Sequence, residues 1–368
     1  MPPWKPDRGF GEFLGDNSLT DQEKGMIEQW LAEGCREGDP SQGPPPPKPP
    51  SKWSVYPPDD ILQPAKSFKI PAEGDDIYRC FVIPTHYAED RYVGLADIVP
   101  GSPRVVHHAM LFTDTSGAGR ALLDVADPDA GFRASITLPF NPAGVLASWA
   151  PGMDGRLLPD GVGYFLPKGA DIIMQVHYHP TGREETDLSR IGLYFCKEPV
   201  DKRLRYMPVF VPPSILQIPA GESNCVFWAE QEMPGDITLL QVCPHMHLVG
   251  REIAATATLP DHTVVPIVRI SDWDFRWQAF YSLKTPLHLP GGSRIRLEAR
   301  YDNSSDNPRN PNKPAKLVTF GERSIDEMCF LYFVYTVDSE TLLRNAPAPP
   351  TYPDTFLNLW GKYSGGRK

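Results

Sequence analysis

The sequence predicts an all-β protein: two antiparallel β-sandwich domains, jelly-roll-like, in tandem, with a short helical appendage at the N-terminus. Three observations carry that expectation. Proline accounts for 42 of the 368 residues, about twice its usual share of ~5%. Proline is excluded from helix interiors and central strands, so this abundance means many short segments joined by turns. From about residue 52 to 338 the chain reads as short β-branched or aromatic runs bounded by Pro, Gly or Asp. Only one stretch carries a clear helical period, and it lies near the N-terminus.

That helix is written in "LTDQEKGMIEQWLAEGC". Thr20 with Glu23 three residues later forms a capping box. Met26, Ile27, Trp30 and Leu31 make one apolar stripe, and Gly34 is a natural stop. A short isolated helix is marginal in water, so its stripe is expected to pack on something. "GPPPPKPP", residues 43–50, follows as a stiff polyproline spacer. Residues 1–50 therefore read as a helical segment plus a Pro-rich linker. The first strand series includes "DIYRCFVIP", "RVVHHAMLFTD", "DIIMQVHYHP" and "RIGLYFC". The second runs from "YMPVFV" through "DITLLQVC" and "SRIRLEARYD" to "EMCFLYFVYTVD". A boundary near 197–206 divides the chain into sandwiches at 51–203 and 204–343, with an extended tail at 344–368.

Hydrophobic content of 41% and charged content of 22% are those of a globular chain with a sizeable core. A net charge of −10 argues against nucleic acid or an anionic membrane as the main partner. No apolar run is long enough for a membrane span. The six cysteines include no C-x-x-C, which leaves zinc ribbons and thioredoxin chemistry unsupported. A disulfide between Cys80 and Cys196 and free buried thiols are equal readings.

The nine histidines are not scattered. His107 and His108 are adjacent, His177 and His179 are two apart, and so are His245 and His247. Chance predicts about 0.4 such pairs against a random template. Two histidines at spacing two on a strand share a face, because side chains alternate. By the same rule His107 and His108 point to opposite faces. An isolated H-x-H is a weak metal signal, since polar faces and core histidines produce it too. Three clusters together favour a metal, and imidazole suits zinc, copper, iron and nickel alike. A thioether would select Cu(I). Met328 in "DEMCFLYFVY" is a candidate, although a methionine at a strand start is ordinarily core filler.

"RVVHHAML", "VLASWAPGM", "QVHYHP", "SRIGLYF", "PHMHLVGREI" and "DEMCFLYFVY" occur in this order. Together they resemble the type II copper, ascorbate-dependent monooxygenases, the family of peptidylglycine α-hydroxylating and dopamine β-monooxygenases. The likeness spans roughly residues 55–340. It implies two β-sandwiches facing each other across an open cleft, with two copper ions per chain. His107, His108 and His177 would hold the electron-donating copper. His245, His247 and Met328 would hold the oxygen-binding one. Gln175, beside the first copper, and Tyr332, in the substrate pocket, are the catalytic candidates. Two features depart from the peptidylglycine enzymes. Cys243 stands where they carry a carboxylate-binding arginine, and Phe330 replaces an asparagine of that pocket. A peptide C-terminus is thus disfavoured as substrate, and Phe330, Trp273 and Trp277 hint at an apolar or aromatic one. Tyr301 stands where the family pairs a cysteine with the Cys329 position. His179 is open between a role beside the first copper and simple adjacency.

The resemblance implies a copper-dependent monooxygenase that hydroxylates a C–H bond of a small organic substrate with O2. Ascorbate or a cytochrome-type donor would supply the electrons. The other reading is a non-catalytic copper-binding or electron-transfer protein on the same scaffold. The N-terminal segment also resembles the end of a cytochrome c-like domain without its haem-attachment motif. That implies an upstream remnant, a Met1 internal to a longer chain, and a periplasmic or extracellular location despite the missing signal peptide.

Overall fold

A computed structural model describes residues 4–43, 45, 53–123, 127–134, 138–153, 155–347 and 364–367. The predicted all-β architecture is present. Two pairs of large sheets enclose two apolar cores.

In the first half, one five-stranded sheet orders Asp60–Leu62, Arg190–Phe195, Arg91–Val99, Val162–Leu166 and Lys202–Arg203. The facing sheet orders Phe132–Arg133, Ile77–Pro84, Asp171–Tyr178, Val106–Asp114 and Gly144–Trp149. Asp171–Tyr178 is the central strand of that sheet and every residue in it is buried. This is why it reads as a nearly continuous apolar run rather than an alternation. In the second half, a four-stranded sheet orders Arg205–Phe210, Cys329–Val337, Ile237–Met246 and Tyr281–Leu289. Its partner orders Val264–Ile270, Gly250–Thr258, Arg294–Tyr301, Cys225–Glu232 and Ser364–Arg367. Of the tail expected to be extended, 348–363 and 368 lie outside the described residues.

Pairing is antiparallel throughout the large sheets, except that Lys202–Arg203 runs parallel to Val162–Leu166. At this junction Arg205 makes two 3.0 Å hydrogen bonds to the Glu340 carboxylate, both side chains buried. All six cysteines are free. Tyr301 answers for the missing partner of Cys329: its hydroxyl donates to the Met328 carbonyl at 2.7 Å.

The N-terminal helix, Asp21–Ala32, forms with the expected capping box. Its apolar stripe is exposed: Met26, Ile27, Trp30 and Leu31 are all open to solvent. The polyproline spacer lies outside the described residues apart from Gly43 and Pro45. Residues before the helix behave differently and strap onto the second sandwich. Phe13 bridges to Leu283, and Leu14 N–H donates to the Ser282 carbonyl at 2.8 Å. Phe13 is buried in the second core, and Trp4 meets Tyr281 edge-on at 5.5 Å. Gly11, at φ +85°, lets this strap lie close, because a β-carbon there would sit 2.3 Å from the Ile267 carbonyl oxygen. Phe13→Ala removes the ring that plugs this seam. It should cost about 3 kcal/mol of stability, as core Phe truncations do, read as a lower denaturant midpoint.

Candidate metal centre

The first histidine set depends on an irregularity in one strand. Asp171–Tyr178 pairs with both neighbours, and Tyr78, His177 and His108 lie in one row across the sheet. On the Val106–Asp114 strand the register shifts between Val106 and His108, which leaves His107 as the extra residue of a β-bulge. Regular alternation would send His107 and His108 to opposite faces. The bulge turns both into one site, correcting the opposite-face expectation. One ligand atom each from His107, His108 and His177 lies within 4.8 Å of the others. His107 Nδ1 and His108 Nδ1 are 3.3 Å apart.

His177 is 2% exposed, and its Nδ1 has no hydrogen-bond partner among the described residues. Tyr78 lies flat on its ring, 4.2 Å between centroids. Asp76 stands behind it: Oδ2 is 3.2 Å from His177 Nε2, close enough for attraction though not aligned as a hydrogen bond. Oδ1 of the same carboxylate is 2.6 Å from His179 Nδ1. His179 is therefore the outer partner of Asp76 and does not join the cluster. Burial alone would raise the Asp76 carboxyl, but its contacts with His177 and His179 hold it well below the usual range. Gln175 is wholly buried on the same strand, opposite Cys80 and Met110. Burial lifts the Cys80 thiol to about 12, while its contact with Gln175 pulls the other way.

The second set sits where Ile237–Met246 ends. His245 Nδ1 contacts Gln278 Oε1 at very short range, and His245 Nε2 is buried without a partner. His247 Nδ1 is 3.1 Å from the Asp326 carbonyl oxygen. A carbonyl or amide oxygen only accepts, so both Nδ1 atoms carry the proton and both Nε2 atoms keep a lone pair. The two rings stand 5.1 Å apart, nearly perpendicular. His245 pairs with Phe330 and Met246 with Cys329, so the next step of the ladder brings Met328 opposite His247. Met328 is fully buried beside Phe210 and Phe330 in a small cluster apart from the two main cores.

Glu327 ties the backbones of these residues together. Its Oε2 accepts from His247 N–H at 2.8 Å and Met328 N–H at 3.1 Å, and its Oε1 accepts from Val249 N–H at 2.8 Å. Burial pushes this carboxyl up to about 8, against the pull of those backbone amides. The sequence offered a signal that was passed over: an acidic residue immediately before a strand start in "DEMCFLYF".

The two sets are neighbours. His107, His108, His245, Gln278 and Tyr332 line a single cavity of about 90 Å³. The halves also touch one another around these sets. Tyr78 hydroxyl donates to the Glu322 carbonyl at 3.1 Å, and Trp277 covers Gly152, where a β-carbon would lie 2.7 Å from the indole. Tyr332 stacks on Phe330 at 5.4 Å and 5°. Trp273 does not reach the cavity. It is a core residue whose indole N–H donates to the His247 carbonyl at 3.0 Å.

Burial lowers His107 and His245 to about 4, and drives His108 and His247 down as well. The sign follows from proton counting. Between the unfolded value near 6.5 and the folded value near 4, the unfolded chain binds more protons, so stability drains as pH falls through that window. Glu327 has the opposite sign, and its contribution is lost as pH rises from about 4.5 through about 8. In the metal-free protein, His245→Asn should flatten the acid limb of the melting temperature against pH. Glu327→Gln should flatten the alkaline limb.

Residues 209–351 match the family model for the C-terminal domain of copper type II ascorbate-dependent monooxygenases. The human DBH-like monooxygenase protein 1 is 25% identical over 289 residues, covering 71% of this chain and 44% of its own length. The Drosophila melanogaster MOXD1 homolog 1 is 23% identical over 290 residues, covering 71% of this chain and 40% of its own. The chain therefore spans under half the length of these relatives. A solved structure, the infectious bursal disease virus VP2 subviral particle, aligns with 81% of this chain and 75% of its own. Its 9% identity and TM-score of 0.20 are too low to bear on the fold. No helix among the described residues is long and apolar enough to cross a membrane.

Proposed function

We propose, from the premise that this chain belongs to the type II copper, ascorbate-dependent monooxygenase family, that it hydroxylates a C–H bond of a small organic molecule. Two copper ions per chain, O2 and an external reductant such as ascorbate or a cytochrome-type donor would take part. The observation that carries this reading is a pair of buried histidine nitrogens with no hydrogen-bond partner, His177 Nδ1 and His245 Nε2, one in each set. A buried polar atom left without a partner costs about 1–3 kcal/mol, and a bound cation removes that cost. All six donors are imidazole nitrogen or thioether sulfur, a set suited to copper in its reduced form.

In this reading His107, His108 and His177 hold one ion, and His245, His247 and Met328 the other. Bound copper supplies one-electron storage at each set and activation of O2. The chain's own residues do the rest. Asp76, Gln278 and the Asp326 carbonyl orient the imidazoles. Glu327 holds the His247 and Met328 backbones in register. Tyr332 lines the cavity beside His245, and Gln175 supports the strand that carries His177.

The substrate would enter through a second cavity of about 300 Å³, which shares Trp149, Met153, Tyr206 and Phe280 with the histidine cavity. Its walls add Trp4, Tyr164 and Trp277, with Asp97 and Arg156 as charged groups. These walls suit a flat, partly apolar molecule with a polar end. The domain division at 51–203 and 204–343, and a location in the periplasm or outside the cell, belong to the same proposal.

The small size of the histidine cavity favours a second reading, a copper-binding or electron-transfer protein that does not hydroxylate. The test begins with copper per chain after anaerobic loading with Cu(I). Two equivalents are expected, falling to one in His108→Ala and in Met328→Ala. Ascorbate-driven O2 uptake that rises with an aromatic substrate supports the hydroxylase. Two bound coppers without such uptake would leave the electron-transfer reading. Zero copper would end both.

A further inference from the structure

We propose that Phe275 is a positioning residue that sets the separation of the two histidine sets. This rests on the two-site reading above. The Phe275 ring stacks on His107 at 5.1 Å and 26°, and meets His247 edge-on at 5.3 Å and 69°. It thus touches one candidate ligand from each set, and the two sets come from different sandwiches. Each sandwich is internally rigid by virtue of its paired sheets. Their relative placement is set by contacts across the seam, and the Phe275 ring supplies two of them at the histidines themselves.

The loop that carries Phe275 is fastened on both sides of it. Trp273 is buried, donates to the His247 carbonyl at 3.0 Å, and receives the Arg309 guanidinium on its own carbonyl. Asp274 accepts from the Arg276 N–H at 3.0 Å. Trp277 packs on Gly152 of the first half, and Gln278 contacts His245 while donating to the Phe275 carbonyl at 2.9 Å. Trp273, Phe275, Trp277 and Gln278 therefore each meet a different segment around the two sets. A ring held this way by a fastened loop acts as a spacer: it stops the sets from collapsing together and its contacts resist their separation. Phe has only two side-chain torsions, so it holds a distance with little loss of freedom.

The experiment is the dipolar interaction between two Cu(II) ions, measured by pulsed electron paramagnetic resonance on the fully loaded protein. Wild type is expected to give one narrow distance distribution. Phe275→Ala should keep two coppers per chain and give a broader, shifted distribution. Phe275→Leu, which preserves most of the volume, carries the same test if the alanine variant does not fold. A variant distribution that superimposes on wild type would overturn the proposal. Fewer than two coppers in the wild type would instead reject the two-site reading, and the two failures are told apart by the metal count.

Discussion

A buried imidazole serves as a ligand only when it is neutral and one nitrogen is committed elsewhere, so that the other presents its lone pair in a fixed direction. Much of the architecture around the two histidine sets follows from that requirement. Desolvation keeps His107, His108, His245 and His247 neutral. The committed nitrogen needs an acceptor, and a sandwich interior made of apolar side chains has none to offer. Acceptors therefore come from the segments at the sandwich ends: Asp76 just before a strand, Gln278 in the loop ahead of Tyr281–Leu289, and the Asp326 carbonyl just before Cys329–Val337. Those ends meet around the two histidine sets.

The same logic explains an expensive feature. Glu327 is fully buried, and the backbone amides of His247, Val249 and Met328 only partly offset the burial that raises its carboxyl. Such a group is costly to bury. It joins two segments 80 residues apart in sequence, and so holds the His247 and Met328 backbones side by side. Tyr301 adds a fourth tie, on the Met328 carbonyl. Four hydrogen bonds hold here what a covalent link through Cys329 would hold elsewhere.

Much of this was legible in the sequence, and the reason is periodicity. The strand runs, the capping box at Thr20 and the shared face of His245 and His247 all follow from local rules, and so does the fold class. What was not legible depends on contacts between distant segments. The His107 bulge is set by pairing with Asp171–Tyr178, and nothing in "RVVHHAML" announces it. Asp76 lies 103 residues from His179, and Gln278 lies 33 residues from His245. Neither residue type is unusual in its own neighbourhood. The helix shows the converse: its stripe at Met26 and Trp30 was legible, but nothing among the described residues covers it. Amphipathicity identifies the helix and says nothing of what covers it.

The strap at the N-terminus bears on how the molecule assembles. Lys5 and Asp272, which contact each other, are 267 residues apart, and Phe13 fills a seam beside Leu283. The strap is therefore made well before the strand it completes, with an entire sandwich made between them. Pairings of such long range close a large loop late and slow the final step of folding. Until then the edge at Tyr281–Leu289 stays open, and it carries the unpaired backbone groups that invite association with other chains. The second sandwich is complete only when a segment made before the whole of the first returns to it.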